Sequence, residues 1–147
     1  MEGLMRPASA RHRLPGWPER LAAIVDAHRD TPFCWGGHDC CLFAATVVDA
    51  LTGHDPAAAY RGTYATEAEA EALIGQRGLP AFLAEQAAAA GLPQLAHPSL
   101  AHRGDLALVM VGNTPLLGVV LDDLVAAPAT DGLAFVPASS ATMAWGV

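Results

Sequence analysis

No lysine occurs among the 147 residues of this chain, and all eight basic side chains are arginine. That absence follows genome base composition, which also favours Ala, Gly and Pro, and carries little physical information. Charge of either sign is scarce at 16%, and acids outnumber bases to leave a formal net charge of −7. A nucleic-acid binder needs a basic face, so the balance excludes that class. A chain so poor in charge is expected to have an apolar surface, part of which a partner covers. Cysteine is limited to Cys34, Cys40 and Cys41, an odd number within eight residues. This excludes a disulfide framework and points to synthesis in a reducing cytosol. No apolar run reaches the roughly 20 residues that span a bilayer, so membrane insertion is not expected. Met1 to Gly16 lacks the apolar h-region of a signal peptide.

What is present is enough for one core. Hydrophobic residues make up 52%, and the length suits a single domain that folds without disulfides or metal. Residues 1–15 show no period and mix Pro7, Ser9 and Pro15 with Arg6, Arg11, His12 and Arg13. They read as a flexible N-terminal arm, or as an arm that orders on a partner. Residues 16–147 read as a single domain without repeats. Trp17 to His28 predicts a helix, with Pro18 in the first turn and Leu21, Ile24, Val25 and His28 at helical spacing. Thr31-Pro32 stops it. Cys40 to Leu51 is apolar nearly all round, which marks a buried central helix, capped by Asp39 and ended by Gly53. Helices are also expected from Thr66 to near Gly78 and from Pro80 to Ala90. The last third changes to short apolar runs at Asp105–Val111, Leu116–Leu121, Leu124–Ala127 and Leu133–Val136, separated by turn residues. Helices first and an antiparallel meander later predict an α+β fold.

The chemistry gathers at Phe33 to Cys41. Cys40 begins a buried helix, whose free N–H groups favour a thiolate, the nucleophilic form. Gly36 and Gly37 in the preceding turn would let the backbone approach a substrate closely. A nucleophile also needs a base. The histidines are His12, His28, His38, His54, His97 and His102. His38 and His102 are the candidates, weak ones, since His54 lies about 20 Å away by helix rise. The bland alternative is that Cys40 packs as a small hydrophobe. Cys34, His38, Cys40 and Cys41 are four possible metal ligands, but zinc prefers two separated pairs and iron–sulfur clusters four cysteines. No metal or cofactor is expected. Asp122-Asp123 reads as a solvated turn, and Glu67, Glu69 and Glu71 as helix-dipole residues.

Phe33-Cys34-Trp35-Gly36-Gly37-His38-Asp39-Cys40 resembles the Tyr-x-Trp-Gly-Gly-x-Asp-Cys block of NlpC-type, papain-like cysteine peptidases. Arg103-Gly104-Asp105-Leu106 resembles the Pro-Gly-Asp-Leu that opens that family's first core strand, and Leu116 to Leu121 its next strand. The resemblance implies a papain-like fold, with N-terminal helices and a buried central helix packed on a C-terminal antiparallel sheet. It puts Cys40 in the nucleophile's place, with Trp35, Gly36, Gly37 and Asp39 lining the binding cleft. The family's catalytic His falls at Leu116, its further polar residue near Ala126, its oxyanion Tyr at Phe33, and the Ser after the nucleophile at Cys41.

Trp35 to Ala45 is also similar to a phage family of small proteins with a Trp-Gly-x-x-Asp-Cys-x-Leu-Phe-Ala-Ala segment. Small NlpC-like domains of this kind also resemble the tail-tip proteins of long-tailed bacteriophages and gene transfer agents, and together these resemblances imply a structural component of a bacteriophage or prophage tail tip or baseplate. It would carry a degenerate peptidase fold, be made in the bacterial cytoplasm, reside in the virion and contact other tail-tip and hub proteins. The alternative they imply is an active cysteine peptidase that cleaves peptidoglycan cross-link peptides during phage entry. On the structural reading, Trp17, Trp35 and Trp145 are the expected contact anchors.

Overall fold

A computed structural model describes residues 12–147. Four helices precede a five-stranded sheet: α1 Trp17–His28, α2 Cys40–Thr52, α3 Glu67–Ile74, α4 Gly78–Ala89, then β1 Leu106–Val111, β2 Thr114–Val120, β3 Leu124–Ala129, β4 Gly132–Pro137 and β5 Ala141–Trp145. The strand order is β4-β3-β2-β1-β5, and every neighbouring pair is antiparallel. The fold is therefore α+β. Among the described residues no helix is long and apolar enough to cross a membrane.

α2 holds the centre. Eight of its thirteen residues are buried, which is why its sequence shows no polar stripe. Phe43, Val47 and Leu51 pack with Leu21 of α1 and with Leu106, Leu108, Leu117 and Val119 of the sheet. The opposite sheet face, Ala107, Val109, Val120, Val125 and Ala144, is covered by Leu95, Leu100 and Ala101 from the connection before β1. Both faces of β1 are thus buried from Leu106 to Val109, which explains the apolar run there, while Met110 and Val111 are exposed. Gly118 lets β2 approach β3, since a Cβ there would lie 2.5 Å from the Ala126 oxygen.

Several elements depart from expectation. α3 ends at Ile74 with Gly75 as its cap, and α4 starts at Gly78 rather than Pro80. β3 runs on through Pro128, which needs no ladder donor toward β2, because β2 pairs with β3 only at Ala126 and Val125. β5 lies in a segment that carries no strand signal in the sequence. It carries Trp145 into the core with 1% exposure, so Trp145 is no contact anchor. Trp17 is half-buried beneath the Arg13 guanidinium, 4.1 Å from its ring centroid. Residues 1–11, most of the expected arm, lie outside the described residues. Its last part is held on the domain: Leu14 N donates to Leu51 O at 2.6 Å, and Arg13 Nη2 reaches Asp105 Oδ1 at 3.0 Å.

Candidate functional site

The turn before α2 is closed by its own backbone. Cys34 N donates to His38 O at 3.1 Å and His38 N to Cys34 O at 2.8 Å. Phe33 N donates to Ala129 O at 3.0 Å, which anchors the turn to the end of β3. Asp39 then gathers three donors. Oδ1 accepts from Leu42 N at 2.9 Å and so caps α2, while Oδ2 accepts from Gly36 N at 3.0 Å and from the Tyr64 hydroxyl at 2.5 Å. The carboxylate is 2% exposed and fully engaged, so it clamps the turn to α2 and to the strap carrying Tyr64. Burial, and then the Asp39 carboxylate beside it, push the Tyr64 hydroxyl's pKa upward, so it stays a donor. Arg61 secures the same strap by pairing with Asp55 at 2.6 Å and donating to Thr46 Oγ1 at 3.0 Å.

The two glycines of the turn have different work. Gly36 has φ +77°, and a Cβ there would overlap the carbonyl oxygen of Tyr64. Gly37 has no positive φ, and its nearest neighbour would be Cys34 Sγ at 3.4 Å. Gly36 makes its close approach to the Tyr64 strap.

Cys40 occupies the first turn of α2, half-buried, with its sulfur 4.0 Å from Cys41 Sγ. Both thiols line a cavity of about 360 Å³ enclosed by α2, α3, α4, β2 and the Tyr60–Tyr64 strap. The side-chain hydrogen bond with Cys41 lowers the Cys40 pKa, burial opposes it, and the Leu117 amide lowers it further. The same pairing and burial raise Cys41, so Cys40 is the thiol that ionises first. Leu116 stands in the wall with Cys40, as do Phe33 and Trp35, whose rings meet edge to face at 4.8 Å. Trp35 is 37% exposed.

Among the described residues that line this cavity there is no histidine. His38 is 8% exposed and stacks on His28 instead, with ring centroids 5.0 Å apart and both rings against Phe43. Its Nε2 is buried without a hydrogen-bond partner among the described residues. His102 is exposed, and its backbone N donates to Asp105 Oδ2 at 2.7 Å. Neither candidate base is brought to the thiol. Ala126 is buried in the sheet, paired with Val119. Cys34 is exposed, and among the described residues no three of His, Cys, Asp and Glu gather to hold a metal. Asp122 lies 3.6 Å from Arg103 on the surface, Glu69 closes the start of α3 with Thr66, and Glu67 reaches the cavity wall.

Sequence reasoning missed Tyr64 and the α3–α4 wall. The signal for the first was available, since Tyr60 and Tyr64 are the chain's only tyrosines and stand four residues apart.

The His28–His38 stack makes stability pH-dependent. Burial first, then the charge of His28, lower the His38 pKa below its ordinary 6.5, against a smaller opposing pull from Asp39. The unfolded chain therefore takes up this proton more readily than the folded one. The stabilising contribution is complete above pH 6.5 and is lost as pH falls from there toward the lower folded value. The melting temperature is expected to drop between pH 7.5 and 5, with a shallower slope in His38→Phe. Equal slopes in the two proteins would remove His38 as the cause.

The family described as Domain of unknown function (DUF6950) matches residues 12–147. No curated protein and no solved structure matches the chain.

Proposed function

The chain belongs to the DUF6950 family, whose description names no activity, and from its site we propose that it is a structural component of a bacteriophage or prophage tail tip. On this reading the domain is papain-like, of the NlpC type, and has lost its peptidase chemistry. One observation carries the second half: among the described residues the cavity that Cys40 lines holds no histidine, and Leu116, at the histidine position the resemblance implies, packs with Val109 and Val120 on the sheet's other face. Peptide cleavage requires a group that protonates the departing amine and then activates water. Leucine does neither, Asp39 is already occupied by three donors, and Glu67 stands solvent-exposed at the start of α3. Support for the NlpC-type fold comes from element order, with a buried central helix begun by Cys40 over an antiparallel sheet opened by Gly104-Asp105. The tail-tip assignment rests on the likeness of Trp35 to Ala45 to small phage proteins.

The protein incubated with peptidoglycan fragments is expected to release no more product than Cys40→Ala. Co-expressed with a tail hub protein of the phage or prophage that carries its gene, it is expected to co-purify with that protein and to be present in purified virions. Cleavage that Cys40→Ala abolishes would overturn the loss of chemistry. Virions that lack the chain would overturn the tail assignment.

A further inference from the structure

The cavity beside Cys40 has a chemistry that a scaffold role does not use. Its walls are Leu73, Ile74, Phe82, Leu83, Leu116 and Trp145, among others of the same kind. No arginine or histidine lines it among the described residues, so nothing there would hold a carboxylate or a phosphate. The acids present are Asp39, whose oxygens are taken, and Glu67. Such a lining fits a neutral, apolar group. A volume of about 360 Å³ lies near the small end of ligand pockets, which run from roughly 300 to 1,000 Å³. A medium-length aliphatic chain suits that size.

Cys40 sits in the same wall with Cys41 Sγ 4.0 Å away. What this thiol can attack is set by which leaving groups need help. An amine leaves an amide only when protonated, and among the described residues no histidine lines the cavity to serve as the general acid. A thiolate leaves without protonation, because its conjugate thiol is acidic enough, with a pKa near 8.5. Exchange between a thioester and a cysteine thiolate therefore survives the loss of histidine, while peptide hydrolysis does not.

We propose that Cys40 is an S-acylation site that accepts a medium-chain acyl group from an acyl thioester and buries the chain in the adjoining apolar cavity. Cys40 Sγ, having released its proton to solvent, attacks the thioester carbonyl carbon. The new carbon–sulfur bond forms as the donor's carbon–sulfur bond breaks. The electron pair leaves with the donor thiolate, which takes a proton from water, and nothing is oxidised or reduced. Hydrolysis of the product would require an activated water; among the described residues no histidine lines the cavity to supply one, Asp39 is fully engaged, and Glu67 stands solvent-exposed at the start of α3. The acyl group therefore stays as a modification rather than turning over. Cys41 acts as a positioning residue: the two sulfurs lie 4.0 Å apart, and once Cys40 has lost its proton only the Cys41 S–H can donate between them.

The test uses the full chain with the exposed Cys34 replaced, Cys34→Ser, incubated at pH 7 with decanoyl-coenzyme A or acetyl-coenzyme A and followed by intact mass. One decanoyl group per chain is expected, mapped to Cys40 and released by neutral hydroxylamine. It should form at least about tenfold faster than the acetyl adduct, because each methylene that enters the cavity favours the decanoyl donor. The acylated protein should melt at a higher temperature. Cys41→Ala should slow the reaction and shift its pH profile upward. Cys40→Ser, checked for folding by circular dichroism, should show no adduct; should it not fold, the peptide map of the parent protein decides the site. Acylation that is independent of chain length, or that persists in folded Cys40→Ser, would mean adventitious thiol chemistry only and would overturn the proposal, as would no adduct at all.

Discussion

Asp105→Ala is expected to lower the free energy of unfolding by about 3–5 kcal/mol, the range for removing one partner of a buried ion pair. The Asp105 side chain has no exposure, and its oxygens join three parts of the chain. Oδ1 accepts from Arg13 Nη2 at 3.0 Å and from Val147 N at 2.9 Å, and Oδ2 accepts from His102 N at 2.7 Å. Arg13 in turn donates to Arg103 O at 2.7 Å and Val147 O at 2.9 Å, with its side chain only 16% exposed. Alanine would leave that guanidinium facing a void and strip the acceptor from two backbone amides. Both the segment entering α1 and the C-terminal residue are fastened at this point, so both should loosen together. Domains of this size are stable by about 5–15 kcal/mol, so the variant would stand close to unfolding. The urea midpoint should fall sharply, and amide exchange at Leu14 and Val147 should accelerate more than exchange within α2. Asp105→Asn keeps an acceptor and should fall less. An unchanged midpoint for the alanine variant would show that the node is not what holds the ends.

The same residue shows how far the sequence could be read. Arg103-Gly104-Asp105-Leu106 is legible as a strand opening, but nothing local says that Asp105 joins residues at opposite ends of the chain. α2 is legible because its determinants are consecutive: an Asp cap, an all-apolar run and a terminating glycine. The β1–β4 meander is legible because turn residues punctuate it. β5 is not, since Ala141 to Trp145 lacks alternation and pairs with β1, more than thirty residues earlier. Trp145 reads as an exposed anchor in sequence and is a core residue in space for the same reason. At the site, Cys40 and Leu116 can be singled out in the sequence, each lying within one short segment. The cavity they share cannot, because its walls come from α3, α4, β2 and the strap, which no spacing rule brings together. His38 shows the opposite error. Proximity in sequence suggests a base for Cys40, whereas the turn directs its ring to α1 and His28.

Within one motif, Gly36→Ala and Gly37→Ala are expected to differ widely, and the contrast tests how the site is built. Gly36 at φ +77° would cost an alanine about 1–2 kcal/mol for the left-handed conformation alone. Its Cβ would also overlap the Tyr64 carbonyl oxygen, and backbone cannot turn aside as a side chain would. The strap must then withdraw, and with it goes the Tyr64 hydrogen bond to Asp39, worth about 1.5–3 kcal/mol for a charged acceptor. A total of about 3 kcal/mol or more follows from the two. Because Tyr60 and Tyr64 line the cavity, the loss should also open it, and alkylation of Cys40 should quicken in a Cys34→Ser background. At Gly37 the backbone is not left-handed and the nearest atom, Cys34 Sγ at 3.4 Å, belongs to an exposed side chain that can shift. Alanine there should change stability by no more than about 0.5 kcal/mol. Thermal melting and Cys40 alkylation rates of the two variants decide the matter. Equal losses would mean that the turn merely dislikes side chains, whereas a loss confined to Gly36 would place the strap, and not a passing substrate, as the reason that position is glycine.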